Sequence, residues 1–334
     1  MGESPLSSEL LRALRERLAR GQFREALELC LESERDGIRL SAEAQLLAAT
    51  AATRVGDLVR GSTLAAEALE GFRTRADDDG RMRATNLMGA ISFERGLLDA
   101  AATSFTESLR LARQLRDSLM AARTANNLAS VTHLRGDFPG ALELYRSALL
   151  DFQRLGDRHF IAETYHNLGL AFRHAAAWQE AERATAEAVR HAEVVGDRAL
   201  LALTVTGRAE LKVALGETAM AVQELDRAAR LAGDVGDELG GAEIRRIRAL
   251  AALRDGNFAA AAQEAEAAHA VAQAQDSVLL TAECAAAAAL AHRGLGRQEL
   301  AERRHAEAVV GFRALGATKL LERLEEEWAN SWPL

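Results

Sequence analysis

Six glycines, Gly56, Gly96, Gly136, Gly216, Gly256 and Gly296, share one setting, each lying between two stretches with helical apolar spacing. The interval from Gly56 to Gly96 is 40 residues, as is that from Gly96 to Gly136. A further step of 40 lands on Ala176 in "HAAAWQEA", and the same step then reaches Gly216, Gly256 and Gly296. Gly21, in "ARGQFREAL", precedes Gly56 by 35 and marks a shorter first unit, making eight units. A period of this length constrains the chain more than any local motif. Each unit is one supersecondary element that cannot cover its own apolar face, so neighbours must stack.

A second punctuation mark has the same period. "LGDR" at Leu155–Arg158, "VGDR" at Val195–Arg198 and "VGDE" at Val235–Glu238 each close one helical pattern and open another. Glycine takes the left-handed conformation that ends a helix, and aspartate caps the next one. "GDF" at Gly136–Phe138 does the same at the inner turn. The spacing predicts helical hairpins, each helix roughly 16–18 residues or about 25 Å long. The abundance of Ala, with only 3 Pro and 4% aromatic residues, agrees with an all-α chain.

The residues within the units carry a resemblance. "ETYHNLGLAFRHAAAWQEAERATAEAV", from Glu163 to Val189, resembles a tetratricopeptide repeat. It has Tyr165, Leu168-Gly169, Phe172, an aromatic at the turn in Trp178, and small residues at Ala181 and Ala188. The preceding unit keeps Leu128-Ala129, Phe138, Ala141, Tyr145 and Ala148. The family's usual repeat is about 34 residues; these units are longer. In that respect they are similar to repeats in Leu-Gly-Asn-type polarity adaptors, kinesin light chains and the sensor regions of some bacterial transcriptional regulators. HEAT-type repeats have a similar period, but the small-residue pattern and the aromatic turn favour the tetratricopeptide form. The resemblance implies a right-handed α-α superhelix, a solenoid of about eight hairpins and some seventeen helices. The array is expected over residues 1–316, with 317–334 as a capping helix and tail. "TKLLERLEEEWANSWPL" has no partner helix and one polar face, as a solenoid end requires.

"YHNLGLAF", Tyr165 to Phe172, raises the functional question. Residues three, four and seven apart share a helix face. The resemblance assigns Tyr165, Leu168, Gly169 and Phe172 to packing between hairpins. It places His166, Asn167, Leu170 and Arg173 on the concave groove, where such arrays bind partners. One period earlier the same face carries Asn126, Asn127, Ser130 and His133. Another period back it carries Asn86 and Phe93, while Arg83, Arg123 and Glu163 begin these faces. Asparagine both donates and accepts, so Asn127 and Asn167 are suited to the backbone of an extended peptide. Arg83, Arg123 and Arg173 are suited to carboxylates. The candidate ligand-binding set is therefore Arg83, Asn86, Arg123, Asn126, Asn127, Ser130, His133, His166, Asn167 and Arg173, with an acidic, extended peptide as the expected ligand. The other reading of the same residues is a solvated polar face.

Arg208, Lys212 and Arg248 depart from the repeat pattern, standing where apolar or aromatic residues are usual. Burying an unpaired charge is costly. The expectation is that these helices rotate slightly, so that Leu211, Ile244, Ile247 and Leu250 do the packing.

Other function classes find little support. A net charge of −8 argues against non-specific nucleic-acid binding. The eight His show neither HExxH nor Cys/His metal spacing, and no phosphate-binding glycine loop is present. His166 and His174 share a helix but lack the further ligands a metal needs, which leaves them stacked or solvated. "EEE" at Glu325–Glu327 reads as a solvated face. Cys30 and Cys284 read as small buried hydrophobes. The start "MGESPLSSELL" has no apolar signal core, and the longest apolar run, "CAAAAALA", is far short of a membrane span. Only Lys212 and Lys319 are lysines, which with the alanine content suggests a GC-rich bacterial genome. The expectation is a cytoplasmic, non-catalytic interaction scaffold with no cofactor or metal, binding a protein or peptide partner and neither nucleic acid nor membrane. The alternative is a regulatory sensor that changes curvature on binding a peptide or small molecule. Oligomeric state is not readable from these patterns.

Overall fold

The computed structural model describes residues 5–330, which form seventeen α-helices joined by short turns. There is no β-strand among the described residues. The chain divides into two compact units, Met1–Asn127 and Leu128–Leu334.

The first unit holds α1 (Pro5–Ala19), α2 (Phe23–Arg35), α3 (Ala42–Arg54), α4 (Leu58–Thr74), α5 (Asp78–Glu94) and α6 (Leu98–Leu115). The boundary falls within α7 (Ser118–Leu134). The second unit continues with α8 (Phe138–Leu155), α9 (Arg158–His174), α10 (Trp178–Val195), α11 (Arg198–Leu215) and α12 (Thr218–Val235). It ends with α13 (Glu238–Arg254), α14 (Phe258–Ala274), α15 (Val278–Gly294), α16 (Gln298–Leu315) and α17 (Thr318–Asn330). Helices pack in consecutive pairs, giving eight hairpins and a final single helix, the architecture of an all-α repeat solenoid.

The turns are built as their sequences dictate. Gly136 sits at φ +85° after α7, and the Asp137 carboxylate accepts from Gly140 N at 3.0 Å, capping α8. Asp157 and Asp197 cap α9 and α11 in the same way, at 3.3 Å and 3.1 Å. At the one inner turn where the period lands on alanine, the backbone keeps the same shape, with Ala176 at φ +55°.

Small residues set the spacing inside the hairpins. Ala141, Ala181, Ala221, Ala261 and Ala301 recur every 40 residues on the second helices, and all are fully buried. Ala148, Ala188, Ala228, Ala268 and Ala308 repeat the pattern one face-turn later, again fully buried. In the first unit the core gathers Leu14, Ala26, Cys30, Ala48, Leu64 and Ile91. In the second, Tyr145 and Leu168 pack with Ala129, Ala141 and Ala171, and Val205, Leu225, Ile244 and Ile247 continue the layer. Cys30 and Cys284 are both buried, and burial pushes the Cys284 thiol well above its ordinary range.

The charged residues that break the repeat pattern are accommodated by pairing. Leu211, Ile244 and Ile247 are buried, while Arg208 reaches Glu224 at 2.7 Å and Arg248 reaches Asp226 at 2.7 Å. Lys212 pairs with Glu217 at 3.1 Å.

The helix α17 packs as the next first helix would. Leu324 is buried, and Leu320 and Leu321 lie against Ala282, Phe312 and Leu315 of α15 and α16. Trp328 stacks on His305, ring centroids 4.2 Å apart, and its carbonyl accepts from Arg293. The start of α17 also reaches the far end of its own unit. Thr318 Oγ1 donates to Arg135 O at 3.5 Å, and the Lys319 side chain covers Gly136 so closely that a β-carbon there has no room.

Candidate functional site

The ten residues selected from sequence divide between the two units. In the first, Arg83 is engaged by the protein itself. Its Nη1 and Nη2 donate to Glu43 at 3.1 Å and 2.9 Å, and its Nε to Asp79 at 2.9 Å. Burial alone would raise the Glu43 carboxyl, but Arg83 outweighs it and the group ends below its ordinary value. Asn86 Oδ1 accepts from Thr124 Oγ1 at 3.1 Å and from Asn127 Nδ2 at 3.5 Å. Two asparagines of neighbouring units, 41 residues apart, are thus bonded to each other. Asn126 is buried and Arg123 is exposed.

In the second unit, Ser130 shares a 2.9 Å hydrogen bond with the Tyr145 hydroxyl. His133 Nε2 lies 2.6 Å from His174 Nδ1, so His174 pairs with His133. His166 is buried against α11, where a β-carbon on Gly207 would strike its ring. Its Nδ1 has no hydrogen-bond partner among the described residues. Burial pushes His133 and His166 down to about 4, and burial with the neighbouring Arg173 charge pushes His174 down to about 2. Asn167 is half-buried. Arg173 is nearly enclosed, its side chain 9% exposed, and its Nη2 donates to Glu210 at 2.9 Å.

The burial of positions expected to face a ligand has a physical cause. Consecutive first helices, α9 with α11, α11 with α13 and α13 with α15, touch one another directly. Gly207 permits the α9–α11 contact, and His166 on the inward side of α9 is then closed over. What emerges beneath is a run of ion pairs. Glu210 accepts from Arg173 and, at 2.8 Å, from Arg246, which also holds Glu243 at 2.5 Å and approaches Glu283 at 3.6 Å. Burial would raise Glu210, but Arg173 and Arg246 hold it below the carboxylate range. Burial wins at Glu283, which is raised despite Arg246.

Above this network lies a cavity of about 510 Å³. Arg173 of α9 and Glu210, Val213 and Ala214 of α11 form one wall. Leu250, Leu253 and Arg254 of α13 and Leu290 of α15 form the next. Arg323, Glu327 and Asn330 of α17 close it. The first helices supply their register positions in order: Leu170 is followed at 40-residue steps by Glu210, Leu250 and Leu290, Arg173 by Val213 and Leu253, and His174 by Ala214 and Arg254. The repeat period is the signal that could have found these residues, but the asparagines that mark this face on α5–α9 are not continued among them. The contribution of α17 had no such signal. Glu327, within the run expected to be a solvated face, lines the cavity and accepts from Arg323 at 2.8 Å.

Cavities of this size suit a ligand of a few hundred daltons, with polar groups fixing its orientation over an apolar wall. No cluster of three or more His, Cys, Asp or Glu able to hold a metal occurs among the described residues. No helix among them is long and apolar enough to cross a membrane.

Residues 120–193 match the family model described as tetratricopeptide repeat. No curated protein is significantly similar in sequence. Several solved structures share the fold. A Rap protein complexed with competence and sporulation factor is 15% identical, covers 97% of this chain and 90% of its own, and has a TM-score of 0.79. The Rap conjugation gene regulator of the plasmid pLS20, in complex with the Phr* peptide, is 14% identical, covers 98% of each chain and has a TM-score of 0.68. NprR in complex with its cognate peptide NprX is 11% identical, covers 99% of each chain and has a TM-score of 0.68. At such identities the likeness is one of fold.

Proposed function

We propose that this chain is a non-catalytic interaction protein that binds a peptide segment of a partner in the cavity formed by α9, α11, α13, α15 and α17. The observation that carries the reading is the cavity itself. It lies on the inward face of successive first helices, combines Val213, Leu250, Leu253 and Leu290 with Arg254 and Arg323, and has a volume of about 510 Å³. Peptide complexes among the structures of similar fold support a peptide over other ligands. The cationic side chains support an acidic one.

On this reading the candidate position Arg173 belongs to the α9 edge of the site. The ladder of inward residues is continued on α11–α15 by apolar and charged groups instead of asparagines. Immobilised protein offered a pool of random heptapeptides should retain a subset identifiable by mass spectrometry. Ala214→Trp, which fills the cavity from a half-buried position, should retain at least tenfold less. Equal retention by a folded Ala214→Trp protein would remove the cavity from the account.

A sensor role is the second reading, favoured by the contact between Thr318 and Arg135. That contact, a hydrogen bond at the long limit of 3.5 Å, joins the two ends of the second unit. A ligand that shifts α17 would break it.

A further inference from the structure

Three features of the cavity bear on which part of a peptide enters it. Its floor is the ion-pair network, and only about 80 Å³ lies beyond, walled by Arg246, Glu283, Phe312 and Leu320. The charges of that floor balance internally, because Glu210 takes both Arg173 and Arg246 while Glu243 accepts from Nε and Nη2 of Arg246, although the buried Arg173 Nε has no hydrogen-bond partner among the described residues. The rim is not balanced. Arg254 has no ion-pair partner among the described residues, and Arg323 has only Glu327, one turn along its own helix. One cation is therefore in excess beside an aliphatic wall.

We propose that the cavity is a terminal pocket, receiving the last residue of a peptide with an apolar side chain against Val213, Leu250 and Leu253 and its free α-carboxylate between Arg254 and Arg323. The inference rests on the peptide reading above and adds which end of the chain is bound. The space narrows from about 510 Å³ to about 80 Å³ past the ion pairs, which suits a chain end better than a continuing segment. A carboxylate supplies the one negative charge the rim lacks, and guanidinium groups grip it in a fork. An ammonium terminus would add a second uncompensated cation. An amide-capped terminus would forfeit the charge-assisted bonds, a loss of at least roughly tenfold in affinity.

The test offers immobilised protein two equimolar heptapeptide pools, random at the first six positions and ending in Leu, one as free acid and the other as C-terminal amide. Octanoate is offered in a separate arm. Free acids should be recovered in at least tenfold excess over amides, and the excess should fall to near parity in the double variant Arg254→Gln, Arg323→Gln. Both positions are exposed, so helical content measured by circular dichroism should be unchanged. Equal recovery of acids and amides by the wild type overturns the terminal pocket and leaves peptide binding standing. An acid excess that survives the double variant overturns the role of these two arginines. Retention of octanoate without either pool overturns the peptide reading and keeps the apolar carboxylate. Retention of nothing overturns both.

Discussion

At the scale of single residues, two strains built into this chain are measurable. Ala176 holds the left-handed conformation that glycine holds at the equivalent inner turns, at φ +55°. An L-residue there costs roughly 1–2 kcal/mol relative to an unstrained backbone, whereas glycine is free of the clash. Ala176→Gly is expected to raise stability by about 0.5–1 kcal/mol in urea unfolding, and a loss of stability would show that the turn has a different shape. The second strain is His166, buried with Nδ1 unpartnered and pushed down to about 4 from 6.5. The unfolded chain takes its proton first as pH falls, so stability drops from about pH 6.5 downward and levels off near the folded value. The raised Glu283 acts with the opposite sign, because the folded state binds its proton first. The comparison that isolates the histidine is wild type against His166→Gln. The wild type should lose up to about 3 kcal/mol more than the variant between pH 7 and pH 4.5. Parallel curves would mean that His166 is not held neutral.

At the scale of elements, the hairpins and their turns were legible because glycine, aspartate and alanine each do one local job at a fixed spacing. Gly136 bends, Asp137 caps, and Ala141 and Ala148 let two helices approach. Ala181, fully buried, is the position to test: Ala181→Trp should overpack the hairpin and cost roughly 1–3 kcal/mol, and an unchanged melting temperature would contradict the register. What was not legible is how closely one first helix lies on the next. That distance depends on Gly207 meeting His166 across a helix pair, and no spacing within one repeat announces it. The same gap hid the role of α17. Its amphipathic pattern pointed to a final helix, and Leu324 is buried there, yet its polar face is also a wall of the cavity. Leu324→Ala should cost roughly 2–5 kcal/mol and weaken ligand retention together, whereas a cap alone would lose stability only.

At the scale of the whole molecule, the net charge of −8 and the cationic rim of the cavity point in opposite directions, and the local sign governs the ligand. Steering by a negative molecule disfavours an acidic peptide at long range, while Arg254 and Arg323 hold it at contact. Ligand binding on the inward faces of the second unit leaves a mark on backbone exchange. Hydrogen–deuterium exchange of the protein with and without the retained free-acid peptides reads that mark. The prediction is slowed exchange in α11, α13 and α17, around Val213, Leu253 and Glu327, with α10, α12 and α14 unaffected. Protection confined to those second helices, or to α1–α4, would contradict it.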